Sequence, residues 1–446
     1  MNRSGLAGSC LAVAILFLIS ASSISSATTS NNSPSLQQVE LSGYWTGTAA
    51  KDGSELSISV DFSPDRNTYR GLFSATQTGL FEAQLNEVQF KSPQIRFELS
   101  SEIGKTSFAG EIRADEISGQ WQFRNLSGTF KLKRVEAPKL PYSIEEVQFR
   151  NAGITFGGTL RVPQEKGQHA ALIFLHGSGA QSRQSDAFLA DQLARSGIAT
   201  LTFDKRGVGA SQAKSWNASF KEYAEDALAA VKLLQGHARI KPQRIGLYGP
   251  SQGAWIASLA ASMSRDVAFI IVRSGGGITP VDQEQYRGRQ LLRKQGFSEM
   301  EIDEALRFRK LKYDLVITGK GNEEFESTLA EVKQRKWFPH VRENLPAADF
   351  WKPNDYYDPI PVWQRVQCPV LGLFGERDES TPTTETVEKI RSALQTASNK
   401  DFTLKVFPLA DHGLIIWPEP IGPFKWFTLA PAFVETLSSW VVSHGN

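Results

Sequence analysis

Cysteine is nearly missing from this chain, with Cys10 and Cys368 the only two among 446 residues. Cys10 falls in a segment expected to be removed, so no intramolecular disulfide can form in the mature chain. Cys368, between Gln367 and Pro369 at the start of an apolar run, reads as a small buried residue rather than a nucleophile. An excess of one charge is missing too. Lys and Arg number 49 against 47 Asp and Glu, which offers nucleic acid or an anionic membrane no electrostatic footing. No residue cluster has metal-ligand spacing, and no phosphate loop or dinucleotide fingerprint occurs in context. Neither a metal nor another cofactor is expected.

What is present begins with a leader. Arg3 supplies a positive start, Leu11 to Ile19 form an unbroken apolar run, and Ser25-Ser26-Ala27 offers small residues for cleavage. This pattern predicts a secretory signal peptide over residues 1–27. A run this short cannot span a bilayer, which takes about 20 residues, so no integral membrane anchor is expected after cleavage. The mature chain is expected to be exported, to a periplasmic or extracellular location.

Residues 28–40, rich in Ser, Asn and Gln, read as a flexible lead-in. Over 41–135 the period is two: Leu56, Ile58, Val60 and Phe62 alternate with polar residues, as do Ile95, Phe97 and Leu99. Turn signals recur between these runs, which predicts a small all-β barrel or sandwich. Pro138 and Pro141 mark a linker, 136–143. Beyond it, over 144–446, apolar runs without alternation (Ala170 to Leu175, Ile198 to Phe203, Ile245 to Tyr248, Val267 to Val272, Val370 to Phe374, Phe402 to Phe407) are separated by helical stretches. That order predicts a mostly parallel sheet covered by helices on both faces. A charged, helix-forming segment at about 279–346 interrupts it and reads as an inserted cap, in which Phe308 and Leu315 are expected to shape selectivity.

Gly249-Pro250-Ser251-Gln252-Gly253 follows the strand-like Arg244 to Tyr248 and opens a helix at Ala254. A serine on such a strand-turn-helix elbow is a candidate nucleophile, needing small neighbours and a base to take its proton. Behind an elbow of this kind the partners come in the order serine, acid, histidine. Of six histidines, His169, His176 and His237 precede the serine. His340 precedes every plausible acid, and His444 is almost terminal, which leaves His412 in Ala410-Asp-His-Gly413. Asp378 leaves the run Pro369 to Phe374 and is the preferred acid, with Glu376 and Glu379 as alternatives. Backbone N–H groups of Gln252 and of Ser178, in His176-Gly-Ser-Gly179, are the candidate oxyanion donors.

These motifs, together with Asp204-Lys-Arg-Gly-Val-Gly-Ala-Ser211, resemble the α/β-hydrolase superfamily over residues 144–443. The nearest branches are the serine aminopeptidase-like and dienelactone-hydrolase-like esterases. The resemblance implies hydrolysis of an ester, thioester or amide through an acyl-enzyme, and gives Asp204 to Ser211 a supporting place after the fourth strand. Pro250 departs from the histidine-type residue commoner before the serine. The expected substrate is a small-molecule acyl ester or a peptide-like compound. A carboxylesterase is the leading reading; a peptidase or thioesterase with the same triad is the alternative, and the complete triad argues against a non-enzymatic binding protein. Two segments stay open: Arg273-Ser-Gly-Gly-Gly277 borders the pocket or merely turns, and Trp417 to Phe427 walls an acyl pocket or packs on the β-domain.

Overall fold

A period-two pattern puts one side of every strand into a core, and the computed structural model carries this pattern through nine antiparallel strands. They are β1 (Gly43–Lys51), β2 (Ser54–Asp65), β3 (Thr68–Ala75), β4 (Leu80–Gln84), β5 (Glu87–Lys91), β6 (Gln94–Ser101), β7 (Gly104–Arg113), β8 (Glu116–Phe123) and β9 (Leu126–Val135). The described residues are 40–101, 104–342, 345, 354, 357–419 and 422–445. The expected leader, 1–27, and the lead-in up to 39 lie outside them.

The strand order is β4-β3-β2-β1-β9-β8-β7-β6-β5, a single sheet that curls until its edges meet. Across the closure Thr68 Oγ1 of β3 donates to Val88 O of β5 at 3.1 Å. Aromatic rings fill the inside. Phe97 and Phe108 are register partners and stack at 4.7 Å, with Phe62 edge-on to Phe97 at 5.5 Å and Phe130 edge-on to Phe108 at 5.4 Å. The curled sheet is therefore packed by its own side chains.

The second sheet has eight strands: β10 (Tyr142–Asn151), β11 (Ile154–Pro163), β12 (His169–Phe174), β13 (Ala199–Phe203), β14 (Ile240–Pro250), β15 (Phe269–Arg273), β16 (Val370–Gly375) and β17 (Phe402–Phe407). Their order is β10-β11-β13-β12-β14-β15-β16-β17. The first two strands form an antiparallel hairpin, and from β13 onward all pairings are parallel. The hairpin was not singled out from the sequence, and its first residues, Tyr142 and Ser143, fall within the segment read as linker.

Both faces of the central strands are covered, which explains their unbroken apolar runs. Ala171 and Ile173 pack with α2 (Phe220–Gln235) and α3 (Gln252–Met263). Leu172 and Phe174 pack with α1 (Ala187–Arg195) on the other face. A capping box, Ser219 with Glu222, starts α2.

Between β15 and β16 stand α4 (Pro280–Lys294), α5 (Glu299–Thr318), α6 (Asn322–Val332) and α7 (Phe338–Arg342). Ser298 and Glu301 cap α5 with a second box. These helices have a core of their own, in which Phe308 is 1% exposed and stacks on Phe325 at 5.3 Å. Leu315 packs at the margin of the same core. The expectation that these two residues shape selectivity is thereby corrected: Phe308 faces the inside of the cap and Leu315 supports it. After the cap come α8 (Ile360–Trp363), α9 (Thr383–Thr396) and, last, α10 (Phe433–Gly445).

Of the aromatic stretch after His412, two residues meet the curled sheet. Phe424 and Trp426 pack against the curled sheet, with the Trp426 and Trp121 rings 5.1 Å apart and the Trp426 indole N–H donating to Ser54 O at 3.4 Å.

Candidate active site

Five loops leave the carboxyl ends of neighbouring parallel strands, the edge where an open α/β sheet gathers its ligands. In spatial order they carry Ser178 after β12, Ser251 after β14, Gly275 after β15, Asp378 after β16 and His412 after β17. Residues scattered over more than 230 positions of sequence thus share one edge.

Ser251 holds φ 51° and ψ −114° at the N-cap of α3. A non-glycine residue in so sparsely populated a conformation costs about 1–3 kcal/mol and needs surroundings that fix it. Ser251 N donates to Arg273 O at 2.7 Å, and Ala254 N donates to Ser251 O at 2.9 Å. The glycines are required by close approach. A Cβ on Gly249 would lie 2.1 Å from the Gly253 carbonyl oxygen, and one on Gly275 would lie 2.7 Å from that of Ser251. The Arg273 to Gly277 loop is therefore a brace behind the elbow. It also reaches the acid's loop: Thr381 Oγ1 donates to Ser274 O at 3.1 Å.

Asp378 is 4% exposed. A buried carboxylate costs several kcal/mol unless hydrogen bonds replace its water, and here they do. Its Oδ1 accepts from Ser380 N at 2.7 Å and Thr381 N at 2.8 Å. Its Oδ2 lies 2.8 Å from His412 Nδ1, which fixes the ring and leaves Nε2 as the free face, since an Asp at Nδ1 favours the Nδ1–H tautomer. The alternative acids are engaged elsewhere. Glu376 accepts from Leu409 N at 2.9 Å, and Glu379 pairs with Lys294 of the cap. The structure thus brings Asp378 and His412 together on the same edge as Ser251. Among the described residues no hydrogen bond joins the Ser251 hydroxyl to the His412 ring, a contact that catalytic sites commonly tighten only when substrate is bound.

Asp411, quoted in the sequence only as part of a motif, braces the His412 loop. Its Oδ1 accepts from Gly413 N at 2.8 Å and Ile415 N at 2.9 Å. From the cap, the Tyr286 hydroxyl donates to Asp378 O at 3.2 Å.

Ser178 is exposed at the site, and Gln252 is 1% exposed at the start of α3. His176 is a support: its Nε2 lies 2.6 Å from Phe203 O, and burial, then the nearby Lys205 charge, pull its pKa down to about 4. Asp204 organises the following loop, accepting from Arg183 N and Ala210 N, each at 2.9 Å. Burial works to raise its pKa, but those bonds and the Arg183 guanidinium hold it below the usual value. Lys205, beside the candidate oxyanion loop, is a residue to which sequence reasoning gave no separate place. Only 1% exposed, it donates to Gly177 O at 2.9 Å, Gly179 O at 3.1 Å and Gln252 Oε1 at 2.8 Å. Its one sequence signal was a basic residue beginning a glycine-rich turn after a fully buried strand. Cys368, expected to be buried, is only half-buried, and the burial of its thiol pushes the pKa up to about 12.

A mostly parallel sheet with a strained serine after β14, an acid after β16 and a histidine after β17 has the α/β-hydrolase fold. Two stretches of the chain match families of this fold: residues 166–297 match the serine aminopeptidase S33 family, and residues 339–420 match the dienelactone hydrolase family. An uncharacterised 31.7 kDa protein of Escherichia coli is 27% identical over 50% of this chain and 78% of its own length. Esterase EstD of Thermotoga maritima is 24% identical over 54% of this chain and 55% of its own. Among solved structures, an esterase of Pyrococcus furiosus is 17% identical over 70% of this chain and 95% of its own, at a TM-score of 0.44.

Proposed function

We propose that the protein is an exported serine hydrolase that cleaves carboxylic esters through an acyl-enzyme. The observation that carries the reading is the 2.8 Å contact between the buried Asp378 and His412 Nδ1, on the sheet edge that also bears the strained Ser251. Export rests on the leader pattern of residues 1–27.

In this mechanism Ser251 Oγ attacks the ester carbonyl carbon while its proton passes to His412 Nε2. Asp378 stays ionised, holds the ring by Nδ1–H and balances the imidazolium. The oxyanion rests on the Ser178 and Gln252 N–H groups, the latter at a helix N-terminus where the dipole favours negative charge. Collapse breaks the carbon–oxygen bond to the alcohol, which leaves with the proton from His412. Water then repeats the sequence on the acyl-enzyme and frees the acid.

The S33 match over residues 166–297 favours one second reading, a peptidase using the same residues. Fluorophosphonate labelling tests the nucleophile: labelling of wild type but not of Ser251→Ala is expected. Hydrolysis of p-nitrophenyl esters set against aminoacyl anilides then separates the readings. Faster turnover of anilides would replace esterase with peptidase, and a wild type that is not labelled would overturn both.

A further inference from the structure

Resting on the serine-hydrolase reading, we propose that Lys205 is the positioning residue of the oxyanion hole, holding the Ser178 N–H toward the reacting carbonyl from behind. The peptide between Gly177 and Ser178 is planar, and in a trans peptide the C=O and N–H point in opposite directions. Whatever holds the Gly177 carbonyl oxygen therefore aims the Ser178 N–H the other way. Lys205 Nζ holds that oxygen at 2.9 Å and the Gly179 oxygen at 3.1 Å, so it grips the loop on both sides of Ser178.

The grip is anchored. Lys205 N donates to Gln181 O at 3.1 Å, and Gln181 Oε1 accepts from Gly177 N at 2.7 Å, which closes a ring of contacts around the loop. The third Nζ bond, to Gln252 Oε1 at 2.8 Å, ties in the residue that bears the other donor. One ammonium thus spans both halves of the hole. Its Nζ also lies over the rings of Tyr223 and Trp216, 4.7 Å and 5.4 Å from their centroids.

Two further consequences follow from chemistry. In its protonated form, the one with a donor for each of its three acceptors, Lys205 polarises the peptide through the Gly177 oxygen and makes the Ser178 N–H a stronger donor. Burying an ammonium whose acceptors are neutral oxygens is costly, and a lysine used only for packing would be replaced by methionine without loss of function. The Gly177 and Gly179 oxygens could otherwise turn to water and carry the Ser178 N–H with them.

The test uses full-length protein, Lys205→Met and Lys205→Gln, with an oxoester and the thionoester of the same acid and alcohol. Sulfur accepts hydrogen bonds poorly, so a working oxyanion hole favours the oxoester. Losing one donor costs about 10²–10³-fold in kcat. In Lys205→Met the oxoester kcat is expected to fall on that scale with KM nearly unchanged, and the ratio of oxoester to thionoester kcat/KM to fall about tenfold. Lys205→Gln, which retains an amide donor, should recover part of the ratio, and it carries the test if the methionine variant does not fold. A ratio within threefold of wild type in Lys205→Met, or in Lys205→Gln where the methionine variant does not fold, overturns the proposal, whether or not kcat falls, because general loosening slows both substrates alike. Labelling of wild-type Ser251 by fluorophosphonate separates this failure from the other: if the wild type is not labelled, the serine-hydrolase reading falls and Lys205's role with it.

Discussion

Trp417 donates its indole N–H to Asp411 Oδ2 at 2.6 Å, one residue before His412. The same carboxylate receives two backbone N–H groups from the loop beyond the histidine, so it fixes the entry and exit of the turn that carries the candidate base. Asp411→Asn puts an amide where two sets of donors converge, and its N–H₂ must face one of them. A loss of about tenfold in kcat is expected, near 1.4 kcal/mol, with little change in KM. Trp417→Phe removes one donor and should cost less. Steady-state kinetics on a soluble ester decides it; an Asp411→Asn enzyme within twofold of wild type would show that the loop is held by other means.

Ser251→Ala and His412→Ala should each remove about 10⁶-fold in kcat, the scale set by other triads. Asp378→Asn should fold and lose about 10⁴-fold, because the amide favours the wrong imidazole tautomer. Glu376→Gln and Glu379→Gln should stay within threefold of wild type, since their partners are Leu409 N and Lys294. If either glutamine variant shows the large loss while Asp378→Asn does not, the acid is misassigned.

Phe308→Ala opens a hole inside the cap. Truncating a buried phenylalanine costs about 3–5 kcal/mol, and the ring's neighbours are Phe325, Trp337 and Phe338. The urea midpoint should fall, and rates on short and medium acyl esters should fall together. A selective change in chain-length preference would instead make Phe308 part of the substrate's surroundings.

Lys205 sets the sign of one pH dependence. Burial pulls its ammonium from the ordinary 10.5 down to about 7. Between those two values the unfolded chain keeps a proton that the folded chain has released, so stability rises with pH across the window. Below the lower value both states are charged and the dependence vanishes. His176, the titratable neighbour in the loop it grips, lies between about 4 when folded and 6.5 when unfolded, and its own window ends before this one begins. Urea unfolding near pH 7 and again near pH 9.5 should show wild type gaining stability relative to Lys205→Met. An unchanged difference would mean that the three acceptors keep the proton in place.

Much of the site was legible because an elbow is local chemistry: a serine between small residues, entered from a strand and left by a helix, is specified within ten residues. Strands of the second sheet were legible from unbroken apolar runs, which only a sheet covered on both faces needs. The β10–β11 hairpin was not, because its outer strand lies at the sheet edge with exposed positions such as Ile144, and its pattern is neither alternating nor continuous. Lys205 could be noticed as a residue but not as a clamp, since its acceptors stand 26 to 47 positions away. Helical spacing showed that Phe308 faces a core without saying which core. The orientation of Trp426 depends on Trp121, and nothing local links residues 305 positions apart in sequence.

That last pair bears on how the chain can be divided. Pro138 and Pro141 invite a cut that would release residues 136–446 from the curled sheet. Such a cut would uncover Phe424 and Trp426 on one side and the ring of Trp121 on the other. An apolar surface newly exposed to water favours self-association, so turbid or multimeric preparations of the fragment would report the wound left by the cut before they reported anything about catalysis. Trp426 and Phe424 replaced by polar residues would be the companion changes that make the separated hydrolase half a fair object of comparison.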